Sequence, residues 1–439
     1  MNFWLRRYNG VKIKTIRLPY EEVMQLPRPL TKKPKKPSIP FRLLMRVASA
    51  PDLWKTHFSY DKKAVEKPDG PALILMNHSS FLDLEISTAM LFPKAYCIVC
   101  TNDAMIGKSW LMKQLGCMPT QKFVSDLGLI RNIKYVLQEL KIPVLMYPEA
   151  CYSFDGTATT LPSGLGSFLK MLNVPVYMIT TYGAFSRDPL YNELQNRKIK
   201  VSADMKRILT AEEVAEKSNE ELDAAIQTAF SFDAFAWQKE NGIRITEPTR
   251  ADGLHRILYK CPACKTEGRM EGKGIRLSCK ACEKTWQLTE LGELEAVEGD
   301  PIFTHIPDWY AWERSCVKAE LEAGEYRLDE QVRIMMMVDH KGIYEVGEGR
   351  LTHGPEGFVL DGCEGALHYE QKPLSSYTLN ADLFWYEMGD VIGIGNKDTM
   401  YYCLPVREDD TACSVAKARL ATEELYKICK QAGRRPKGE

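Results

Sequence analysis

The chain has 439 residues, 45% apolar and 26% charged, a globular composition with room for two or three domains. Basic and acidic side chains balance at 58 each, yet residues 1–68 hold sixteen Lys/Arg against five Asp/Glu, so that segment carries +11 and the remainder −11. No apolar run is long enough for a membrane span, the start Met1-Asn2-Phe3-Trp4-Leu5-Arg6-Arg7 lacks the apolar centre of a signal peptide, and thirteen cysteines without a paired framework point to a reducing cytoplasm rather than a disulfide scaffold.

Residues 1–40 read as a basic N-terminal segment. Its Lys32-Lys33-Pro34-Lys35-Lys36-Pro37 stretch suits neither helix nor central strand. It is either a solvated linker or a surface for anionic lipid. Phe41-Arg42-Leu43-Leu44-Met45-Arg46-Val47, Leu53-Trp54 and Phe58 then follow helical spacing. They fit an interfacial helix or a helix docked on its own domain. Over residues 70–205 apolar runs alternate with amphipathic ones. The expected strands are 72–77, 94–100, 143–148 and 174–182. The expected helices are 81–91, 109–115, 126–140 and 164–172, which makes an α/β layer fold. A further helix is expected over 210–229, capped by Thr210 with Glu212 and Glu213 in its first turn.

Two apolar runs end in side chains that carry chemistry. Ala72–Met76 is followed by Asn77-His78-Ser79-Ser80-Phe81-Leu82-Asp83, with a histidine five residues before an aspartate. A neutral imidazole oriented by a carboxylate is a general-base pair. Ile142–Met146 is followed by Tyr147-Pro148-Glu149-Ala150. Ligand sites in open α/β sheets gather at such strand ends. Leu115-Gly116-Cys117-Met118-Pro119-Thr120-Gln121-Lys122 lies between these runs, and Asn173-Val174-Pro175-Val176 follows them.

These blocks, in this order, resemble the glycerophospholipid acyltransferase family that contains the lysophosphatidic acid acyltransferases. The resemblance covers roughly residues 70–185. His78 and Asp83 match its H-x4-D motif, Gly116 and Lys122 its second block, Pro148 and Glu149 its P-E-G block, and Val174-Pro175-Val176 its fourth. It implies a mixed sheet with flanking helices in an α/β domain over 41–250. His78 would be the base and Asp83 its orienting partner. Lys122 would meet the acceptor at a phosphate, and Glu149 would meet it at a hydroxyl or support the site. The implied donor is an acyl-CoA or acyl carrier protein thioester, and the implied acceptor a lysophospholipid, first of all 1-acyl-glycerol-3-phosphate. Three positions depart from the pattern. Ala150 stands for the usual Gly, Tyr152 for an arginine two positions later, and Lys122 for the second block's arginine. A bidentate guanidinium grip on phosphate is thereby lost or reduced to a point charge, which leaves a different acceptor open.

Cys261-Pro262-Ala263-Cys264 and Cys279-Lys280-Ala281-Cys282 form C-x2-C-x14-C-x2-C. This is the pattern of a tetrahedral structural zinc in a ribbon over 255–298, with a hairpin at Gly272–Leu277. A redox role for one pair is the alternative. The mild basic excess here does not favour nucleic acid. Residues 305–432 then read as an all-β module with a closing helix at 411–430, and this order resembles a pleckstrin-homology-like domain. Its expected strands are Val332–Val338, Gly357–Leu360, Leu367–Gln371, Tyr377–Leu379, Asp390–Ile394 and Met400–Leu404. The sequence thus points to a cytoplasmic acyltransferase peripheral on the inner face of the membrane. The alternatives are another acceptor, or a non-catalytic lipid-binding scaffold.

Overall fold

The computed structural model describes residues 13–29, 33–124, 126–406 and 414–434. The start of the basic segment, Lys32 and the first residues of the expected closing helix lie outside the described residues. The chain divides into two compact units: Pro29–Asp188 with Lys198–Ala234, and Lys12–Arg28 with Pro189–Arg197 and Phe235–Glu439.

The first unit is built on a six-stranded mixed sheet. Its strands are β1 (Leu73–Met76), β2 (Cys97–Thr101), β3 (Cys117–Thr120), β4 (Val144–Met146), β5 (Val176–Tyr182) and β6 (Ser202–Leu209), in spatial order β3-β2-β4-β1-β5-β6. All neighbours run parallel except β5 and β6. Central β1 is buried on both faces, which is why it reads as an unbroken apolar run. Ile74 and Met76 enter one core layer, and Leu73 and Leu75 the other. Covering helices include α1 (Ile39–Lys55), α2 (Asp83–Leu91), α3 (Leu127–Gln138), α4 (Leu165–Leu172) and α5 (Asn219–Phe230). The helix expected over 210–229 is broken. Ala211–Glu216 ends at Lys217, and Ser218 with Glu221 forms a second capping box that starts α5. Gly116, at φ +80°, has no room for a Cβ, which would meet Pro37 Cγ at 2.8 Å.

The second unit holds two sheets. The smaller is antiparallel: β7 (Met270–Lys273), β8 (Arg276–Cys279), β9 (Thr285–Leu288) and β10 (Leu294–Ala296), in sequential order. After it comes a helix the sequence reading passed over, α6 (Ile306–Glu322), which contains the Trp309-Tyr310-Ala311-Trp312 cluster. The larger sheet has β11 (Leu328–Met336), β12 (Ile343–Gly354), β13 (Gly357–Gly362), β14 (Leu367–Gln371), β15 (Asn380–Asp382), β16 (Val391–Gly395) and β17 (Met400–Pro405). They run antiparallel in the order β14-β13-β12-β11-β17-β16-β15, and Thr15–Arg17 pairs parallel to β12. The helix α7 (Ser414–Arg434) follows. Among the described residues no helix is long and apolar enough to cross a membrane.

Candidate active site and a four-cysteine cluster

β1, β2, β3, β4 and β5 all run the same way, so their carboxyl ends share one edge of the sheet. Neighbours β1 and β4 place His78 and Glu149 side by side at that edge. The backbone N–H of His78 donates to Glu149 Oε2 at 2.8 Å, and the other oxygen, Oε1, accepts from the Thr159 N–H at 2.7 Å. The peptide of His78 is held on its other side as well, where Ser153 N–H donates to the His78 carbonyl at 3.3 Å.

Asp83 opens α2. Its Oδ2 lies 3.0 Å from His78 Nδ1 and accepts the N–H groups of Ser79 and Ser80 at 2.9 and 3.2 Å. The first turn of a helix favours this negative charge. Asp83 is buried, whereas 19% of the His78 side chain is exposed. The carboxylate is therefore fixed and the ring reaches the surface of the unit. Asn77 anchors the turn from below: its Oδ1 accepts from Thr181 N–H at 2.9 Å and its Nδ2 donates to Ser79 Oγ at 3.0 Å. Ser80 Oγ donates to buried Asp188, which Arg187 pairs at 2.8 Å.

Two tyrosines pack on the imidazole. The ring centroids of Tyr147 and Tyr152 lie 4.5 and 4.0 Å from that of His78, and Phe81 meets Tyr152 edge-on at 4.9 Å. Tyr152 reaches this place through a tight loop in which Ala150 adopts φ +53°, a conformation that glycine takes without cost. Burial, partly offset by the hydrogen bonds from Thr159 and His78, pushes Glu149 up to about 7. Burial likewise raises the Tyr147 phenol well above its usual range.

Of the sequence-selected residues, His78, Asp83 and Glu149 come together. Lys122 follows β3, at the same edge but three strands from β1, or about 14 Å at ordinary strand spacing. The sequence reading missed Asn77, Ser80, Ser153, Thr159, Thr181 and Asp188 as supports. Only Tyr152 left a signal there, as a departure from the expected pattern.

In the second unit the four cysteine sulfurs lie within 4.8 Å of one another. Cys261 and Cys282 are 3.7 Å apart at sulfur, and so are Cys264 and Cys279. A zinc with four Zn–S bonds of about 2.3 Å needs tetrahedral edges of about 3.8 Å, so the donor set fits that ion and no disulfide is formed. The two knuckles repeat one another. Lys265 N–H donates to the Cys261 carbonyl and Glu283 N–H to that of Cys279, with φ +65° and +64° at Lys265 and Glu283.

Residues 57–182 match the Acyltransferase family. This stretch holds β1 to β5, and with them His78, Asp83 and Glu149. Among solved structures, the crystal structure of the 1-acyl-sn-glycerophosphate (LPA) acyltransferase PlsC from Thermotoga maritima is similar at 15% identity. Its TM-score is 0.35, and the match covers 44% of this chain and 75% of that one. No curated protein matches the chain.

Proposed function

We propose that the chain transfers an acyl group from a CoA or carrier-protein thioester to the hydroxyl of a lysophospholipid, with 1-acyl-glycerol-3-phosphate as the first acceptor to test. The observation that carries this reading is the 3.0 Å contact between His78 Nδ1 and buried Asp83. With Nδ1–H donated to the carboxylate, Nε2 is the basic nitrogen. It takes the proton of the acceptor hydroxyl as the oxygen attacks the thioester carbonyl. The C–S bond then breaks, and the imidazolium returns the proton to the departing thiolate. Asp83 stabilises the imidazolium in between. In this reading Lys122 meets the acceptor's phosphate and Glu149 belongs to the acceptor site. A second reading, a different acceptor, is favoured by Tyr152, whose ring lies on His78 where related sequences carry a guanidinium.

Further parts of the reading concern the rest of the chain. The fragment from 41 to 250 is the acyltransferase domain, 255–298 a zinc ribbon with a structural ion on Cys261, Cys264, Cys279 and Cys282, and 305–432 a pleckstrin-homology-like module. The basic segment over 1–40 and the α1 face make peripheral contact with the inner face of the membrane. The central claim is tested with His78→Ala. Acyl transfer to lysophosphatidic acid should fall by about 10³-fold with an unchanged melting temperature. A folded variant that acylates at the wild-type rate removes the claim.

A further inference from the structure

The base is enclosed by a single loop. Tyr147–Ser153 grips His78 at its N–H through Glu149, at its carbonyl through the Ser153 N–H, and at its ring through Tyr147 and Tyr152. Both Glu149 oxygens accept backbone N–H groups, and the carboxyl is 2% exposed. A group so engaged is poorly placed to take an acceptor hydroxyl. The geometry points to a clasp: Glu149 and Tyr152 are positioning residues that fix the His78 imidazole for proton transfer. Neither is an acceptor ligand. This rests on His78 being the base, and it reassigns Glu149 within that reading.

The clasp has two independent parts. Glu149 joins the His78 turn to Thr159, so it sets where the histidine backbone sits. Tyr152 covers the imidazole at 4.0 Å, with the planes 31–32° apart for both tyrosines, so it limits ring rotation about the side-chain bonds. Its own ring is set in turn by Phe81 at 4.9 Å. Misplacing a reacting group by about 1 Å can cost about 10²-fold in rate.

The test is steady-state kinetics on the full chain, varying the acceptor at saturating thioester, for Glu149→Gln, Tyr152→Phe and Tyr152→Leu, with His78→Ala alongside. Gln keeps the shape but cannot accept both N–H groups, and kcat should fall by about 10²-fold. Tyr152→Leu removes the ring and should cost about 10-fold in kcat, while Tyr152→Phe restores most of that loss. KM for the acceptor should stay within about 2-fold throughout. A rise in acceptor KM larger than the fall in kcat, or a Tyr152→Leu enzyme with wild-type kcat, overturns the clasp. Should Glu149→Gln fail to fold, the Tyr152 pair decides alone. An active His78→Ala enzyme would bring down the base reading itself, a result distinct from both.

Discussion

At the scale of single residues, Glu149 couples the site to pH. Burial raises its folded pKa to about 7, above a glutamate's ordinary value of about 4.5, so folding favours the protonated carboxyl. Its contribution to stability is fully present below about pH 4.5 and is lost as pH rises through 7. The span corresponds to on the order of 3 kcal/mol. The melting temperature of the wild type should therefore contain a component that falls between about pH 5 and 7.5. Glu149→Gln should lack it, and parallel curves for the two proteins would show that no proton is exchanged there. Little of this was legible in the sequence. The run Ile142–Met146 and the following Pro148-Glu149 located the residue. Its two N–H donors come from residues 71 and 10 positions away, the first brought there by the strand order and the second by the fold of the following loop. Ala150 shows the same limit: the departure from glycine is visible in the letters, but the left-handed backbone that makes it matter is not.

At the scale of elements, the central strands of the first unit's sheet were legible and its edge strands were not. Residues 72–77 and 143–148 announce themselves as apolar runs, and β1 and β4 lie there. Edge strands β3 and β6 carry mixed sequence and were missed. β12, which is absent from the expected strands, contains Gly347, Gly349 and Gly354, a residue type that sequence patterns associate with turns. At Gly349 the reason is cross-strand contact, since a Cβ would meet the Asp361 carbonyl at 2.4 Å. The helical spacing after residue 40 was legible, and α1 occupies that stretch. Met45, Ser49 and Leu53 face the core. At 100° per residue, Ile39, Leu43, Trp54, Val47, Pro40, Pro51 and Leu44 fill an outward arc of roughly 140° that contains no charge. The large apolar side chains among them are exposed, Trp54 to 79%. Arg46 and Lys55 border the arc on its two sides, as on a helix lying in a lipid interface. Exposed Trp110 is linked to this helix through Phe41, at 5.9 Å. We predict that the protein sediments with phosphatidylglycerol vesicles and less with phosphatidylcholine. Replacing Leu43, Val47 and Trp54 together by Asp should weaken partition by on the order of 10²-fold or more. Equal sedimentation of the triple variant would exclude α1 as the contact.

At the scale of the whole molecule, Lys260 is one of the residues that tie the four-cysteine sheet to the helices of the second unit. Lys260, directly before Cys261, has its N–H accepted by Glu313 at 2.7 Å and its carbonyl bonded by the Trp309 indole at 3.0 Å, both from α6. Its ammonium belongs to a closed ring of alternating charge. Lys260 pairs with Glu267 and Glu320 at 3.0 and 3.2 Å, and Lys417 pairs with the same two carboxylates at 2.7 Å each. The ring joins the first cysteine knuckle to α6 and α7. Trp286 of β9 meets Trp309 edge-on at 4.9 Å beneath it. None of these links follows from the C-x2-C spacing, which specifies the donors alone. The consequence is long-range. A zinc on these four sulfurs, which lie within 4.8 Å of one another, would hold the knuckles together, and its removal would free Lys260 and Glu267 on either side of the first knuckle. Chelation should therefore lower amide protection over 261–284 and also in α7, over a hundred residues further along the chain. Both should recover on adding one equivalent of zinc. Metal content well below one zinc per chain, or a chelated protein whose α7 protection is unchanged, would separate the cysteine cluster from the helices that the charge ring joins to it.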